Sequence, residues 1–234
     1  MDNLLFIAFP YVAVILAIGV GIYRHSHRPY TYSSLSSQLL EKRSLFWGSV
    51  PFHYGLTLIL LAHILPALFP GGAGWLLGDE VRRLILEVTG IAIALYTFFG
   101  LILLILRRLM PGSLARAVTS YMDGIILIAL LIQIGSGIAV AIFNRWGGVW
   151  YLHTAVPWFW SLAGLHPEIR TVALLPPFVK LHFVFGFVVI LLFPFSRLVH
   201  LVALPIQYLW RPYQVAIWNR LPGKLPAGSK ERVP

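Results

Sequence analysis

The feature that most constrains this chain is a pair of histidines inside each of two long apolar runs. Residues 181–200 read LHFVFGFVVILLFPFSRLVH, with His182 near one end and His200 at the other. As one α-helix, the eighteen residues between them make five turns, so both imidazoles leave the same face, separated by roughly 27 Å. That is close to the ~30 Å thickness of a bilayer's hydrocarbon core. A second run, 48–69, carries His53 and His63, about 15 Å apart along a helix axis. Polar side chains are expensive in lipid and are usually functional there.

The rest of the chain is equally apolar. Of 234 residues, 59% are hydrophobic and 11% charged, and the mean hydropathy is +0.81, beyond the range of an ordinary soluble domain. Five stretches have spanning length: 4–23, 48–69, 84–106, 121–143 and 178–204. Backbone polar groups in lipid must be satisfied within their own segment, so each stretch is expected to be helical. The expected fold class is an all-α integral membrane protein, a bundle of five transmembrane helices forming one domain over residues 1–204. Residues 205–234 are too polar and Pro-rich to span and read as a cytoplasmic docking tail. Only Met1, Asp2 and Asn3 precede the first run, without a basic n-region or a small-residue cleavage site, so that run is expected to be a retained span.

The net charge of +10 is topological rather than a footprint for nucleic acid. Twelve lysines and arginines fall after the first and third spans and in the tail, against five (Arg82, Arg83, Arg145, Arg170, Lys180) on the other side. The positive-inside rule then places the N-terminus outside and the C-terminus in the cytoplasm, as a multi-pass protein of the inner (cytoplasmic) membrane.

There is no cysteine, which excludes disulfides, Cys-ligated iron–sulfur clusters and covalent c-type haem. A redox cofactor would have to be held by histidine, as b-type haem is. Two histidines on each of two spans suit two non-covalent, bis-histidine haems stacked across the membrane. Depth sorts the ligands: His53 with His200 for an inner haem, His63 with His182 for an outer one. Spacings of ten and eighteen residues do not match along the membrane normal, so tilted helices or unequal reach are expected. The blander reading of any one histidine is a hydrogen bond across a helix interface. Gly55 and Gly186, near His53 and His182, offer room for a macrocycle or serve plain packing.

Other residues carry weaker signals. His25 and His27 fall in a basic loop after the first span. Arg82 and Arg83, ahead of the third span, are interfacial anchors or reach a polar headgroup near the outer haem. Asp123 caps the fourth span or pairs with an arginine of the preceding RRLMPGSLAR turn. That fourth span, with Gln133 and Gly135 at its middle, has no ligand and reads as packing. Trp146, Trp150, Trp158 and Trp160 suit a segment lying in the interface, as an aromatic belt or a lid over a lipophilic pocket. His153 and His166 are candidates for proton handling. Pro194 should bend the fifth span. Arg197, with Arg108 and Arg116, is placed to meet haem propionates, or simply snorkels.

The stretch KLHFVFGFVVILLFPFSRLVH followed by QYLWRPYQ resembles the gamma subunit of membrane-bound respiratory nitrate reductase, a cytochrome b family. So do FHYGLTLILLAHILP, the SSQLL stretch and the turn from Arg107 to Asp123. The resemblance implies that His53 and His200 hold the haem nearer the cytoplasmic partners, and His63 and His182 the outer haem. It implies quinol (menaquinol foremost) as donor near the outer haem, where His63 and Arg82 are the candidates for the quinol site. The family has a lysine after a Glu-Val pair, whereas here Glu80-Val81 precedes Arg82, which keeps charge but not geometry. It implies an iron–sulfur beta subunit and a molybdenum alpha subunit as partners, with nitrate reduced on a partner. A cytochrome b subunit of another molybdenum or sulfur-cycle complex, or a non-redox histidine-bearing anchor or transporter, are the alternatives.

Overall fold

The computed structural model describes residues 1–27, 43–110, 119–144 and 146–202. Arg116, Arg145, the SSQLL stretch and the tail lie outside the described residues. Five helices are long and apolar enough to cross a membrane. They are α1 (Leu4–His27), α2 (Arg43–Leu68), α4 (Glu80–Leu109), α5 (Tyr121–Phe143) and the last, α7 (Pro177–Leu192). The short helices α3 (Pro70–Leu77) and α6 (Val156–Ala163) lie between α2 and α4 and between α5 and α7. Among the described residues there is no strand, as expected where only internally bonded helices satisfy the backbone.

Local chemistry explains the boundaries. The helix of α1 runs on through His27, so His25 and His27 sit in its last turn rather than in a loop, where basic side chains suit the helix dipole. His27 stacks on Tyr23, ring centroids 4.6 Å apart. α4 starts at Glu80 because the Asp79 side chain accepts from the Arg82 amide at 3.0 Å. Arg82 and Arg83 are therefore helical, and the 30 residues of α4 extend about 45 Å. Ser120 and Asp123 form a reciprocal capping box at the start of α5.

The fifth span corrects the sequence expectation of one helix over 178–204. α7 ends at Leu192, Phe193–Phe195 is a 3-10 turn, Ser196 is extended, and Arg197–Leu201 is a second 3-10 turn. Pro194 has no N–H to continue the ladder. The Phe193 amide bonds Ile190 O instead, and the Ser196 hydroxyl accepts from the Leu198 amide to start the new turn. His182 and His200 are thus not on one continuous helix.

Packing runs α1 on α7, α7 on α5, α5 on α4 and α4 on α2, while α2 and α7 share no extensive interface among the described residues. The α2–α4 contact is close because of glycine. A Cβ on Gly55 would fall 2.1 Å from Thr97 Oγ1, and one on Gly100 would fall 2.6 Å from the Phe52 amide nitrogen. Gly55 therefore serves the α4 interface. Gly186 faces α5, where its Cβ would lie 3.5 Å from Gln133 Nε2. Trp158 is not a belt residue: it is 1% exposed, stacks on Phe183 at 5.3 Å and donates to Phe6 O at 3.1 Å. It pins α6 between α1 and α7.

Candidate functional site

The histidines face one another across the space between α2 and the α7 segment. The His53 and His200 rings are 6.0 Å apart, centroid to centroid, and the His63 and His182 rings 6.2 Å. Two imidazoles sharing one metal through bonds of about 2 Å, with rings about 1 Å in radius, put their centroids about 6 Å apart. Among the described residues neither pair is joined by a direct hydrogen bond. Nor is any group of three or more potential metal ligands assembled, so the facing pair is the unit.

Each ring is oriented through Nδ1. His53 donates to Ser49 O at 2.8 Å, His63 to Ile59 O at 2.8 Å, His182 to Gln133 O at 3.0 Å and His200 to Arg197 O at 2.6 Å. An Nδ1–H engaged by a carbonyl directs the Nε2 lone pair towards a metal, as at many ligating histidines; at His182 the Gln133 side-chain nitrogen also lies 3.5 Å from Nε2. His27 makes a similar bond to Tyr23 O at 3.2 Å without facing another histidine. The bond alone is common, and its combination with a facing ring distinguishes the two pairs. A cleft of about 350 Å³ lined by His53, Tyr54, Thr57 and Leu58 opens beside the first pair. Among the described residues α2 and α7 share no extensive interface, and the two ring pairs lie between α2 and the α7 segment.

Around the His63–His182 pair, Tyr151 donates to His63 O at 2.8 Å with its ring 5.7 Å from the imidazole. Trp160 Nε1 donates to Ala67 O at 2.9 Å, so the segment between α5 and α7 is tied to α2. Burial pushes the Tyr151 phenol up to about 12, which keeps it a neutral donor. On the α7 side, Ser136 Oγ lies 3.3 Å from His182 Nδ1 and Gly137 lies against the ring. Near the His53–His200 pair, buried Asp123 bonds Arg197 Nε at 3.0 Å and Arg108 at 3.5 Å. The arginines expected to meet propionates thus converge on one carboxylate, while Arg116 lies outside the described residues.

The structure does not join Arg82 to His63. Its guanidinium donates to Trp75 O at 3.0 Å and Leu76 O at 3.3 Å and covers the Trp75 ring, holding α3 against α4. Arg83 covers the Trp146 ring at 4.0 Å. His153 and His166 are exposed, and His166 Nδ1 donates to Gly164 O. The sequence reading missed Tyr151, Ser136 and Gly137, and took Gln133 as packing. For Ser136, Gly137 and Gln133 the available signal is the QIGSG stretch, two polar residues and two glycines amid apolar neighbours.

Fold and site together define a multi-pass helical membrane protein whose histidines meet as two facing pairs at two levels along α2. Residues 2–219 match the family described as nitrate reductase gamma subunit. The chain is 34% identical to the nitrate reductase gamma chain of Bacillus subtilis, over 88% of this chain and 93% of the relative. It is 31% identical to the respiratory nitrate reductase 1 gamma chain of Escherichia coli, over 92% and 96%. A nitrate reductase-like protein NarX of Mycobacterium tuberculosis is 30% identical over 91% of this chain but only 33% of its own length. This chain belongs to the nitrate reductase gamma subunit family, and is a membrane subunit of that oxidoreductase complex.

Proposed function

We propose that this chain is the quinol-oxidising di-haem cytochrome b subunit of a membrane-bound respiratory nitrate reductase. The observation that carries the reading is the pair of centroid separations, 6.0 and 6.2 Å, at metal-bridging distance with every Nδ1 already engaged. His53 and His200 hold the inner group, His63 and His182 the outer. When bound, b-type haem supplies a one-electron carrier at each pair. The chain's own residues orient the four rings, exclude water between apolar helices, and separate the two pairs by ten residues of α2, about 15 Å.

Quinol, menaquinol foremost, is oxidised at the outer end near His63, losing two electrons and two protons. Arg82 supports that site by fixing α3 against α4. With the N-terminus outside, the protons leave outside and the electrons leave inward, so charge is separated across the cytoplasmic membrane. The electrons pass to an iron–sulfur beta subunit and then a molybdenum alpha subunit, where nitrate is reduced. The absence of cysteine supports assigning the cluster and terminal chemistry to those partners. Residues 205–234 are the docking tail for them, and 1–204 the haem-binding domain.

The test is a reduced-minus-oxidised spectrum with a pyridine haemochrome assay on the purified complex, using menaquinol as reductant. Two b haems per chain, reduced by quinol and reoxidised by nitrate, are expected. Reoxidation only by another acceptor would move the chain to a sister complex. A well-folded preparation without haem would overturn the reading.

A further inference from the structure

Three of the four histidines take their Nδ1 acceptor from their own segment, and His182 does not. Its acceptor is Gln133 O on α5, with Ser136 Oγ at 3.3 Å as a second neighbour. Ser136 Oγ also donates to Gln133 O at 3.0 Å, so the hydroxyl and the imidazole share that carbonyl, and the Gln133 side-chain nitrogen lies 3.5 Å from His182 Nε2. The ring approaches this closely because residue 137 is glycine: a Cβ there would lie 2.9 Å from His182 Cε1 and 3.3 Å from Nδ1. His182 is therefore seated on the backbone of α5.

The other far-side ring depends on the same helix at its opposite end. His200 lies beyond the break at Ser196, without a continuous helix behind it, and its Nδ1 bonds Arg197 O. Arg197 Nε donates to Asp123 Oδ1 at 3.0 Å, and Asp123, 3% exposed, is fixed in turn by the Ser120 amide at 2.9 Å and by Arg108. Asp123 and Ser136 are thirteen residues apart on α5, about 20 Å, so one rigid helix addresses both depths.

We propose that α5, which carries no histidine, positions the α7-side ring of each facing pair: Ser136 and Gly137 set His182, and Asp123, through Arg197, sets His200. These are positioning residues, and the proposal rests on the reading of the pairs as haem ligand sets. A ligating imidazole whose Nδ1–H has a strong acceptor is a better donor to the metal, which favours the oxidised ion. Weakening that acceptor raises the reduction potential of one site and leaves the other where it was.

The experiment uses the full chain co-expressed with its partner subunits, and reads haem per chain, stepwise potentiometric titration and low-spin electron paramagnetic resonance. Ser136→Ala is expected to shift the midpoint of one b component, the one that His63→Ala removes, without changing haem content. Gly137→Ala is expected to lose or broaden that same component. Asp123→Asn is expected to shift only the component that His53→Ala removes, with Asp123→Glu partly restoring it. If Ser136→Ala and Asp123→Asn leave both midpoints and both signals as in the parent, or move both components together, α5 is mere packing and the proposal falls. Should Gly137→Ala prevent assembly, Ser136→Ala, which removes a single oxygen, still decides. Absence of haem from the parent complex would instead overturn the reading on which the proposal rests.

Discussion

At the scale of single residues, the histidines act as pairs, and substitutions should reveal the pairing. His53→Ala and His200→Ala are expected to abolish the same b component, and His63→Ala and His182→Ala the other, as counted by two-step redox titration. Loss of different components by the two members of a pair would contradict the assignment. Tyr151 makes a subtler prediction. Its phenol, raised to about 12 by burial, is protonated in folded and unfolded chains alike below about pH 10. The stability it contributes is therefore fully present there, and is lost progressively as pH rises from about 10, where the unfolded phenol ionises, through about 12. Tyr151→Phe should lower thermal stability by about 1 kcal/mol, equally at about pH 6 and about pH 9. Much at this scale was legible beforehand: four histidines in apolar runs already imply paired sites, because imidazole in lipid needs a partner. The roles of Ser136, Gly137 and Tyr151 were not, since nothing in a linear sequence says which helix a hydroxyl or a missing Cβ will meet.

At the scale of elements, the break after α7 and the glycine contact of α2 with α4 are the decisive features. The sequence placed Pro194 and expected a bend. It could not show that Ser196 would cap a new turn, because a cap depends on which backbone amide arrives within reach. Gly55→Ala should destabilise the fold by about 1–3 kcal/mol through overpacking, since the new Cβ would fall 2.1 Å from Thr97 Oγ1. Adding Thr97→Ala should recover part of that loss, and thermal unfolding of the two variants in detergent tests it. If the pair is no more stable than Gly55→Ala alone, the two helices do not meet there. Trp158→Ala should cost about 3–5 kcal/mol, because it empties the stack among Phe6, Phe183 and Phe187. A belt residue at the interface would lose far less.

At the scale of the whole molecule, the spans pack in the order α1, α7, α5, α4, α2, and α2, at one end of that series, faces the α7 segment, second from the other end, through histidine rings rather than through a packed interface. The chain lacks cysteine, so its proposed orientation can be tested with one introduced thiol at a time. A membrane-impermeant maleimide should label Gly78→Cys, between α3 and α4, on intact spheroplasts, and His27→Cys, at the end of α1, only after lysis. The opposite pattern would invert the topology and with it the direction of proton release. The sequence by itself determined the number and type of the spanning elements and the rise between His53 and His63 within one of them. Those follow from hydropathy and from the fixed rise of a helix, both properties of a single segment. Only the tertiary structure decided that the fifth span breaks before His200, that α5 seats His182, and that Arg108 and Arg197 converge on Asp123. Each of these depends on which surfaces of separate helices come together, and lateral packing in a membrane is set by side-chain fit rather than by hydropathy.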